Sequence, residues 1–136
     1  MSENSQRPIL GVSAVVFHQG KVLLVKRGKN PGRGLWSLPG GKVEFGETVR
    51  TGALREVLEE TDLRVQIGKL VGIYDIVTDD AHFVIACFTA VASKPTIKVG
   101  GDADDAAFFG VDELKNFALA PNTLQAIEDA QGLIQI

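Results

Sequence analysis

The chain has 136 residues, a formal net charge of −3 and a single cysteine. Such a length suits one domain with a substantial core, and the nearly balanced charge excludes a polybasic nucleic-acid binder. One cysteine excludes an internal disulfide, so a reducing cytoplasm is the expected compartment. No apolar run approaches the roughly 18 residues of a membrane-spanning helix. We therefore predict a cytoplasmic protein that has neither a nucleic acid nor a membrane as its partner.

The chain begins with a polar segment and two apolar runs. Residues 1–7 are polar and are predicted to form a flexible tail before one domain over 8–136. The runs "ILGVSAVVF" and "KVLLVKR" are rich in β-branched residues, and Gly20 between them supplies a turn. This pattern predicts a β-hairpin over residues 9–27.

The next segment combines glycine-rich turns with one helical period. "GKNPGRG" (28–34) is predicted to be a loop, and "GLWSLPGGKVEF" (34–45) two short strands around a turn. In "GETVRTGALREVLEET" (46–61) apolar residues recur at helical spacing, so we predict a helix with Thr48 as its N-cap.

The second half alternates apolar runs with turn-forming residues. The predicted elements are strands over 64–78 and 82–92, an acidic flexible loop over 100–106, a strand over 107–111, a short helix over 112–117 and a helix over 121–131 that ends at Gly132. Strands before and after a helix predict an α/β fold, with a mixed sheet between helices. Cys87 is expected in the core, and the long strands leave room for a homodimer edge.

The predicted helix over 46–61 has two unlike faces. At about 100° per residue, one side carries the apolar residues and the adjacent side the glutamates. The apolar side is predicted to hold Ala53, Leu54, Val57 and Leu58, and the other side Glu56, Glu59 and Glu60, flanked by Arg55. A solvated helix face tolerates such a cluster. The neighbouring "LPGG" turn and Glu47 favour a site of hard oxygen ligands for Mg²⁺ or Mn²⁺.

Residues 41–63 resemble the Nudix box, G-x5-E-x7-R-E-U-x-E-E-x-G-U, where U is aliphatic. The matching residues are Gly41, Glu47, Arg55, Glu56, Val57, Glu59, Glu60 and Leu63. Asp62 stands where the pattern has glycine, at the expected end of the helix. Aspartate tolerates the left-handed conformation of such a cap, so we expect a modest loss of stability and intact chemistry.

The resemblance implies a Nudix-type α/β/α sandwich and a divalent-metal-dependent hydrolase of nucleoside diphosphates linked to another group. It implies that Glu56, Glu59 and Glu60 bind metal, and we favour Glu56 and Glu60 as ligands. Gly40 is expected to add its backbone carbonyl, and Glu47 to reach the metal directly or through water. Arg55 is either an orienting partner for a glutamate or a structural ion pair.

The remaining roles are less specific. Glu59 is one candidate for the general base, and the aspartates of the acidic loop, Asp102, Asp104 and Asp105, are others. Arg27, ahead of Arg33, Lys26 and Lys29, is the strongest candidate for binding substrate phosphates. Five aromatic residues could stack on a base but are more often core residues, namely Trp36, Phe45, Tyr74, Phe83 and Phe108.

The substrate remains open within one class. Nucleotide sugars or ADP-ribose, nucleoside triphosphates and dinucleoside polyphosphates are all compatible, and "GLWSLPGGKVEFGET" favours ADP-ribose or a small triphosphate by resemblance. A proline or tyrosine that marks some subfamilies is absent from "VTDDA". A non-catalytic Nudix domain that binds or senses a nucleotide is the alternative. A third hypothesis, an acidic helix that binds a partner without a ligand, predicts stability independent of metal.

Overall fold

The computed structural model describes residues 7–30 and 32–134, which form seven strands, a short 3₁₀ helix and two α-helices. The strands are β1 (Ile9–His18), β2 (Lys21–Arg27), β3 (Trp36–Ser37), β4 (Gly40–Lys42), β5 (Val65–Val77), β6 (His82–Ala92) and β7 (Ala103–Gly110). The helices are α1 (Val49–Thr61), the 3₁₀ helix (Val111–Asn116) and α2 (Thr123–Ile134). The tail predicted over 1–7 falls mostly on residues 1–6, outside the described residues.

All seven strands belong to one mixed sheet. Its main order is β3-β2-β1-β6-β5, with β4 paired to β1 and β7 paired to β2. β1 and β6 run parallel, whereas the other strand pairs are antiparallel. The short strands β3 and β4 pair with β2 and β1, not with each other. The predicted mixed sheet is therefore confirmed.

The two α-helices cover opposite faces of the sheet. Alternate residues of β2 point to opposite sides, so that Leu23 packs with Val57 of α1 and Leu24 packs near Ile127 of α2. Cys87 is fully buried on the α2 side, as predicted. The fold is thus the predicted α/β sandwich, in which α1 holds its carboxylates at one rim of the sheet.

The turns that bound β1, β2 and α1 follow from local sequence signals. Gln19 and Gly20 both have positive φ, 49° and 79°, which forms the predicted hairpin turn. The Thr48 hydroxyl accepts a hydrogen bond from the Thr51 amide at 3.1 Å, the predicted N-cap. Asp62 has φ 61° and its amide donates to the Leu58 carbonyl at 2.9 Å, so aspartate does adopt the left-handed cap.

Two predicted boundaries were wrong. β7 begins at Ala103, so Asp104 and Asp105 belong to a strand and not to the predicted loop over 100–106. Pairing with the full length of β2 outweighs the low strand propensity of these aspartates. α2 continues through Gly132 to Ile134, because an isolated glycine costs a helix only about 1 kcal/mol.

Two predictions of burial were also wrong. Leu54 is 38% exposed and Leu58 is only half-buried, whereas Gly52 and Thr61 are buried with Ala53 and Val57. The buried stripe of α1 is therefore rotated from the predicted one. Phe45 is not a core residue but lies fully exposed in the turn between β4 and α1, where Gly46 has φ 84°.

Candidate active site

Arg55 is the centre of a network of carboxylates on α1 and the preceding loop. Its Nε and Nη2 contact the two carboxylate oxygens of Glu47 at 2.7 and 3.0 Å, a bidentate arrangement. Its Nη1 donates to Glu56 Oε2 at 2.8 Å and to Glu59 Oε1 at 2.7 Å. Glu44 Oε1 lies 3.1 Å from Nε. The guanidinium thus fixes the positions of four carboxylates.

A backbone contact anchors this guanidinium to the strand layer. Arg55 Nη2 donates to the Lys42 carbonyl of β4 at 3.0 Å. The hydrogen bonds that Arg55 donates to Glu47, Glu59 and Glu56 raise the pKa of Arg55 above its ordinary value, Glu47 having the largest effect. The same pairing with Arg55 lowers the pKa of Glu47 to about 2, so Glu47 stays ionised at neutral pH.

Glu60 lies apart from this network. Its Oε1 accepts a hydrogen bond from the Gly40 amide at 2.9 Å, and no direct contact to Arg55 is found among the described residues. Burial raises the pKa of Glu60 to about 8, although the Gly40 amide and the charge of Arg27 act in the opposite direction. Burial also raises the pKa of Glu56, against the opposing effect of Arg55. Burial thus favours the neutral form of Glu60 when no cation is bound.

The Gly40–Gly41 turn allows α1 to approach the sheet closely. A Cβ on Gly41 would lie 2.6 Å from the Glu56 carboxylate, and a Cβ on Gly40 only 2.2 Å from the Val12 carbonyl oxygen. No other residue fits at either position without displacing the neighbouring atoms. The glycines thus bring the carboxylates of Glu56 and Glu60 within reach of the β4 backbone.

The strand register determines where the Gly40 carbonyl points. Ser13 pairs with Gly40, and the Ala14 amide donates to the Pro39 carbonyl at 3.1 Å. Ser13 and Gly40 therefore form a non-hydrogen-bonded antiparallel pair, in which the N–H and C=O of Gly40 both point away from β1. The Gly40 N–H donates its hydrogen bond to Glu60 Oε1. The carbonyl is oriented to the same side and is placed to act as an oxygen ligand.

The predicted basic residues lie at different distances from the carboxylates. Arg27 ends β2 on the same sheet face as Leu23, the face that α1 covers, and its charge influences Glu60. Its side chain passes over Gly32, where an added Cβ would lie 3.1 Å from Arg27 Nε. Arg33 is exposed in the following loop. Lys29 Nζ instead pairs with Asp102 Oδ1 at 3.2 Å.

The donor set suits a hard divalent ion. Within residues 7–30 and 32–134, no three acidic, histidine or cysteine side chains converge as a ready-made metal cage. Arg55 draws Glu47, Glu56 and Glu59 toward itself, which accounts for this open arrangement. Mg²⁺ is commonly bound through one or two carboxylates, with waters and substrate phosphates completing its octahedron. The residues present fit such an ion.

Sequence reasoning missed two features of this site. It did not predict that Glu44 and the Lys42 carbonyl contact Arg55. It also missed the approach of Gly100, whose amide donates to the Glu60 backbone carbonyl at 3.0 Å. The position of Glu44 three residues before Glu47 was an available signal. The Gly100 contact spans forty residues of sequence and left no local pattern.

The fold and the site define a Nudix-type domain, and comparison with known proteins agrees. The NUDIX domain family model matches residues 7–130. An ADP-ribose pyrophosphatase of Methanocaldococcus jannaschii is 36% identical over 113 residues, which cover 82% of this chain and 67% of that protein. The chain therefore belongs to the Nudix family. As a Nudix hydrolase it is an enzyme of the pyrophosphohydrolase class, and such hydrolases generally need divalent metal ions.

Solved structures show the same fold over nearly the whole chain. A MutT Nudix hydrolase of Burkholderia pseudomallei has a TM-score of 0.83 at 29% identity, covering 90% of this chain and 98% of that chain. The Nudix domain of Shewanella oneidensis NrtR, solved with ADP-ribose, has a TM-score of 0.83 at 26% identity, covering 99% and 94%. Across the described residues, no helix has both the length and the hydropathy to span a bilayer.

Proposed function

We propose that this enzyme uses Mg²⁺ to cleave the pyrophosphate linkage of a nucleoside diphosphate joined to another group, with ADP-ribose as the leading substrate. Nucleotide sugars and nucleoside triphosphates are the next candidates. The observation that carries the proposal is the acidic face of α1, where Glu60 and Glu56 meet the Gly40–Gly41 turn. The similarity to an ADP-ribose pyrophosphatase and to a domain solved with ADP-ribose supports the choice of substrate.

In this proposal the metal ligands are Glu56, Glu60 and the Gly40 carbonyl, with Glu47 contributing directly or through water. The outward orientation of the Gly40 carbonyl and the position of Glu60 on the Gly40 amide support this set. Arg55 acts as the orienting residue, since it holds Glu47, Glu56 and Glu59 by charge-assisted hydrogen bonds. Mn²⁺ is expected to substitute for Mg²⁺ because both prefer oxygen ligands.

The reaction is attack of water on one phosphorus of the pyrophosphate. The P–O bond to the bridging oxygen breaks, and that oxygen leaves with the departing phosphate. A bound divalent ion neutralises phosphate charge and acidifies water. Glu59, whose carboxylate is 49% exposed and is held by Arg55 at 2.7 Å, is our candidate to accept the proton of the attacking water. The aspartates Asp102, Asp104 and Asp105 are the alternative bases.

Arg27 is proposed to bind the substrate phosphates, with Arg33 as an outer contact. Arg27 is fixed at the end of β2 and lies close enough to influence Glu60. A guanidinium there can contact phosphate oxygens that the metal leaves without a partner. Arg33 lies exposed in the next loop, from which it can reach a substrate but is not positioned by the sheet.

Phosphate release from a substrate panel tests this proposal. The panel contains ADP-ribose, nucleotide sugars, nucleoside triphosphates and dinucleoside polyphosphates, each coupled to a phosphatase or pyrophosphatase and assayed with Mg²⁺ or with EDTA. We expect ADP-ribose turnover that EDTA abolishes and that Glu60→Gln lowers by roughly 100-fold or more. Glu128→Gln, an exposed substitution on α2, is the matched control.

Two results would contradict the proposal. Turnover that persists in EDTA would exclude the metal role, and full activity of Glu60→Gln would exclude the assigned ligand. If no compound is hydrolysed while ADP-ribose still raises the melting temperature, the chain binds or senses the nucleotide instead.

We also propose that the protein acts in the cytoplasm and that it forms a homodimer. In this dimer the β5 strands of the two copies pair in antiparallel orientation. β5 is the terminal strand of the main sheet order and exposes three large apolar side chains. These are Leu70 (50% exposed), Ile73 (56%) and Val77 (69%). A two-fold axis near Gly72 would place Lys69 of one copy opposite Asp75 of the other, which gives complementary charge.

Light scattering after gel filtration tests the dimer. We expect a mass of two chains for the wild type and of one chain for Ile73→Lys, which inserts a charge into the apolar contact. Leu124→Lys, at an exposed position of α2, should leave the dimer intact. A wild type that elutes as a monomer at high concentration would exclude this interface.

A further inference from the structure

We infer that the turn over residues 98–104, here called the connecting turn, sets the spacing between the cationic loop after β2 and the carboxylates of α1. Gly28 and Gly100 are then positioning residues for the reaction. This inference rests on the proposed function, because it concerns how the metal ligands and the phosphate-binding residues face one substrate. Its support is a pair of close backbone contacts made by the same turn.

The first contact is with the last turn of α1. The Lys98 amide donates to the Thr61 carbonyl and the Gly100 amide to the Glu60 carbonyl, both at 3.0 Å. Carbonyls in the last turn of a helix have no partner within the helix. The connecting turn therefore supplies partners to the turn of α1 that carries Glu60.

Gly100 makes this contact unusually close. A Cβ at position 100 would lie 2.6 Å from the backbone carbonyl oxygen of Glu59. That neighbour is a backbone atom of a helix, so relief requires the helix end or the turn to move. Gly101 follows with φ 60° and lies near the Glu60 side chain. Any added side chain at Gly100 thus displaces Glu59 and Glu60 relative to the turn.

The second contact is with the cationic loop. The Gly28 amide donates to the Asp102 carbonyl at 3.0 Å. A Cβ on Gly28 would lie 2.5 Å from that same oxygen and 2.7 Å from Asp104 Oδ1. Lys29 adds an exposed ion pair with Asp102, which contributes little on its own. Arg27 and Lys29 are the immediate neighbours of Gly28, so its position sets theirs.

One short hydrogen-bonded turn joins the two contacts. The Ala103 amide donates to the Gly100 carbonyl at 3.3 Å. This hydrogen bond holds Gly100, which contacts α1, close to Asp102, which contacts Gly28. The metal ligands and the phosphate-binding cations are consequently spaced through the backbone of the connecting turn. A displacement of about 1 Å between groups that act on one substrate can cost roughly 100-fold in rate. The spacing is therefore a property that the enzyme needs to hold.

Two alanine substitutions test separately the contact of the connecting turn with the cationic loop and its contact with α1. Gly28→Ala should raise KM for ADP-ribose by about 10-fold or more, because it shifts the cationic loop, and leave the affinity for Mn²⁺ alone unchanged. Gly100→Ala should weaken calorimetric Mn²⁺ binding by about 10-fold, because it shifts Glu60. The double variant should be non-additive, since both changes relax through one turn. Gly132→Ala is the control, because a Cβ there meets nothing within 4 Å.

Several outcomes decide the matter. If both variants lower only the melting temperature and leave KM and Mn²⁺ affinity unchanged, the connecting turn is purely structural and the inference is wrong. Full additivity in the double variant would also contradict it. If the wild type hydrolyses no nucleotide, the proposed function fails, but calorimetric binding of Mn²⁺ and of ADP-ribose still tests the two ends separately.

Asp102→Ala provides a further variant in case Gly28→Ala and Gly100→Ala prevent folding. Asp102 is exposed, so its loss removes the tie to Lys29 without adding bulk. We expect KM for ADP-ribose to rise about 3-fold and the affinity for Mn²⁺ alone to be unchanged. A kcat that collapses at constant KM would instead assign Asp102 to proton transfer and contradict a positioning role for it.

Discussion

The acidic face of α1 contains two carboxylate environments that differ in how their charge is stabilised. Glu47, Glu56 and Glu59 share the guanidinium of Arg55 at 2.7 to 3.0 Å. Glu60 has one backbone amide as its hydrogen-bond donor and is largely buried, with a pKa raised to about 8. Two neighbouring glutamates of one helix are thus held differently: Glu59 is paired with the Arg55 guanidinium, whereas Glu60 accepts a hydrogen bond from the Gly40 amide and is influenced by the charge of Arg27.

This difference affects how strongly each carboxylate would gain from a bound metal ion. A carboxylate that already has a fixed counter-charge gains less from a metal ion than one that lacks it. Arg55 therefore keeps the loop and the helix together, while in our proposal Glu60, which has no contact with Arg55 among the described residues, ionises fully when a cation binds. The repulsion that the glutamates would otherwise suffer is offset on one side by Arg55 and on the other by protonation of Glu60.

Removing Arg55 should have the largest effect on activity and stability, because Glu47, Glu56 and Glu59 would all lose their shared hydrogen-bond donor. We expect Arg55→Ala to lower kcat/KM by roughly 100- to 1,000-fold and the free energy of unfolding by about 2 kcal/mol, since several carboxylates lose their shared partner. Urea unfolding and steady-state kinetics measure both. Arg55→Lys should restore part of the stability but little activity, because an ammonium cannot hold Glu47 in a bidentate manner. Equal activity of the lysine variant and the wild type would reduce Arg55 to a structural ion pair.

Glutamine at position 60 should have the opposite effect on stability. Because burial disfavours the ionised form, Glu60→Gln should stabilise the metal-free protein on the order of 1 kcal/mol at pH 9, while abolishing most activity. Glu47→Gln should destabilise it, since Arg55 loses its bidentate partner. Urea unfolding in EDTA compares the two. Destabilisation by both variants would show that the two environments are alike.

The pH dependence of stability should show the same contrast. The folded pKa of Glu60 is raised from 4.5 to about 8, so its contribution falls as pH rises from about 4.5 to 8. The folded pKa of Glu47 is lowered to about 2, so its contribution is present above pH 4.5 and falls as pH decreases toward 2. In EDTA these two groups favour a stability maximum near pH 4.5 to 5. Mg²⁺ should flatten the alkaline limb, and an unchanged limb would remove Glu60 from the metal site.

The sequence predicted those features that are encoded locally. Thr48 and Asp62 bound α1 through contacts within three or four residues, so their roles were visible in the sequence. The buried face of α1 depends instead on where the sheet lies beneath it, and Leu54 was consequently assigned to the wrong side. Asp105 was assigned to a loop because its pairing with Lys26 of β2 leaves no local signal.

The candidate site shows the same limit. The box residues on α1 identified the carboxylates, but not that Arg55 would hold three of them and leave Glu60 to the Gly40 amide. That division depends on the approach of β4, which only the folded chain provides. The resemblance to a family supplied the roles, whereas the separate environments of the glutamates came from the geometry.

The smallest expected effect concerns Asp62, which caps the C-terminal end of α1. Asp62 adopts a left-handed conformation that glycine adopts without strain, so Asp62→Gly should stabilise the protein by a few tenths to about 1 kcal/mol. Asp62 is exposed, and none of its described hydrogen bonds involves the carboxylates of Glu47, Glu56, Glu59 or Glu60. Thermal unfolding measures the gain, and kinetics with Mg²⁺ should be unchanged. A loss of activity in this variant would mean that the helix end itself, and not only the connecting turn, positions Glu60.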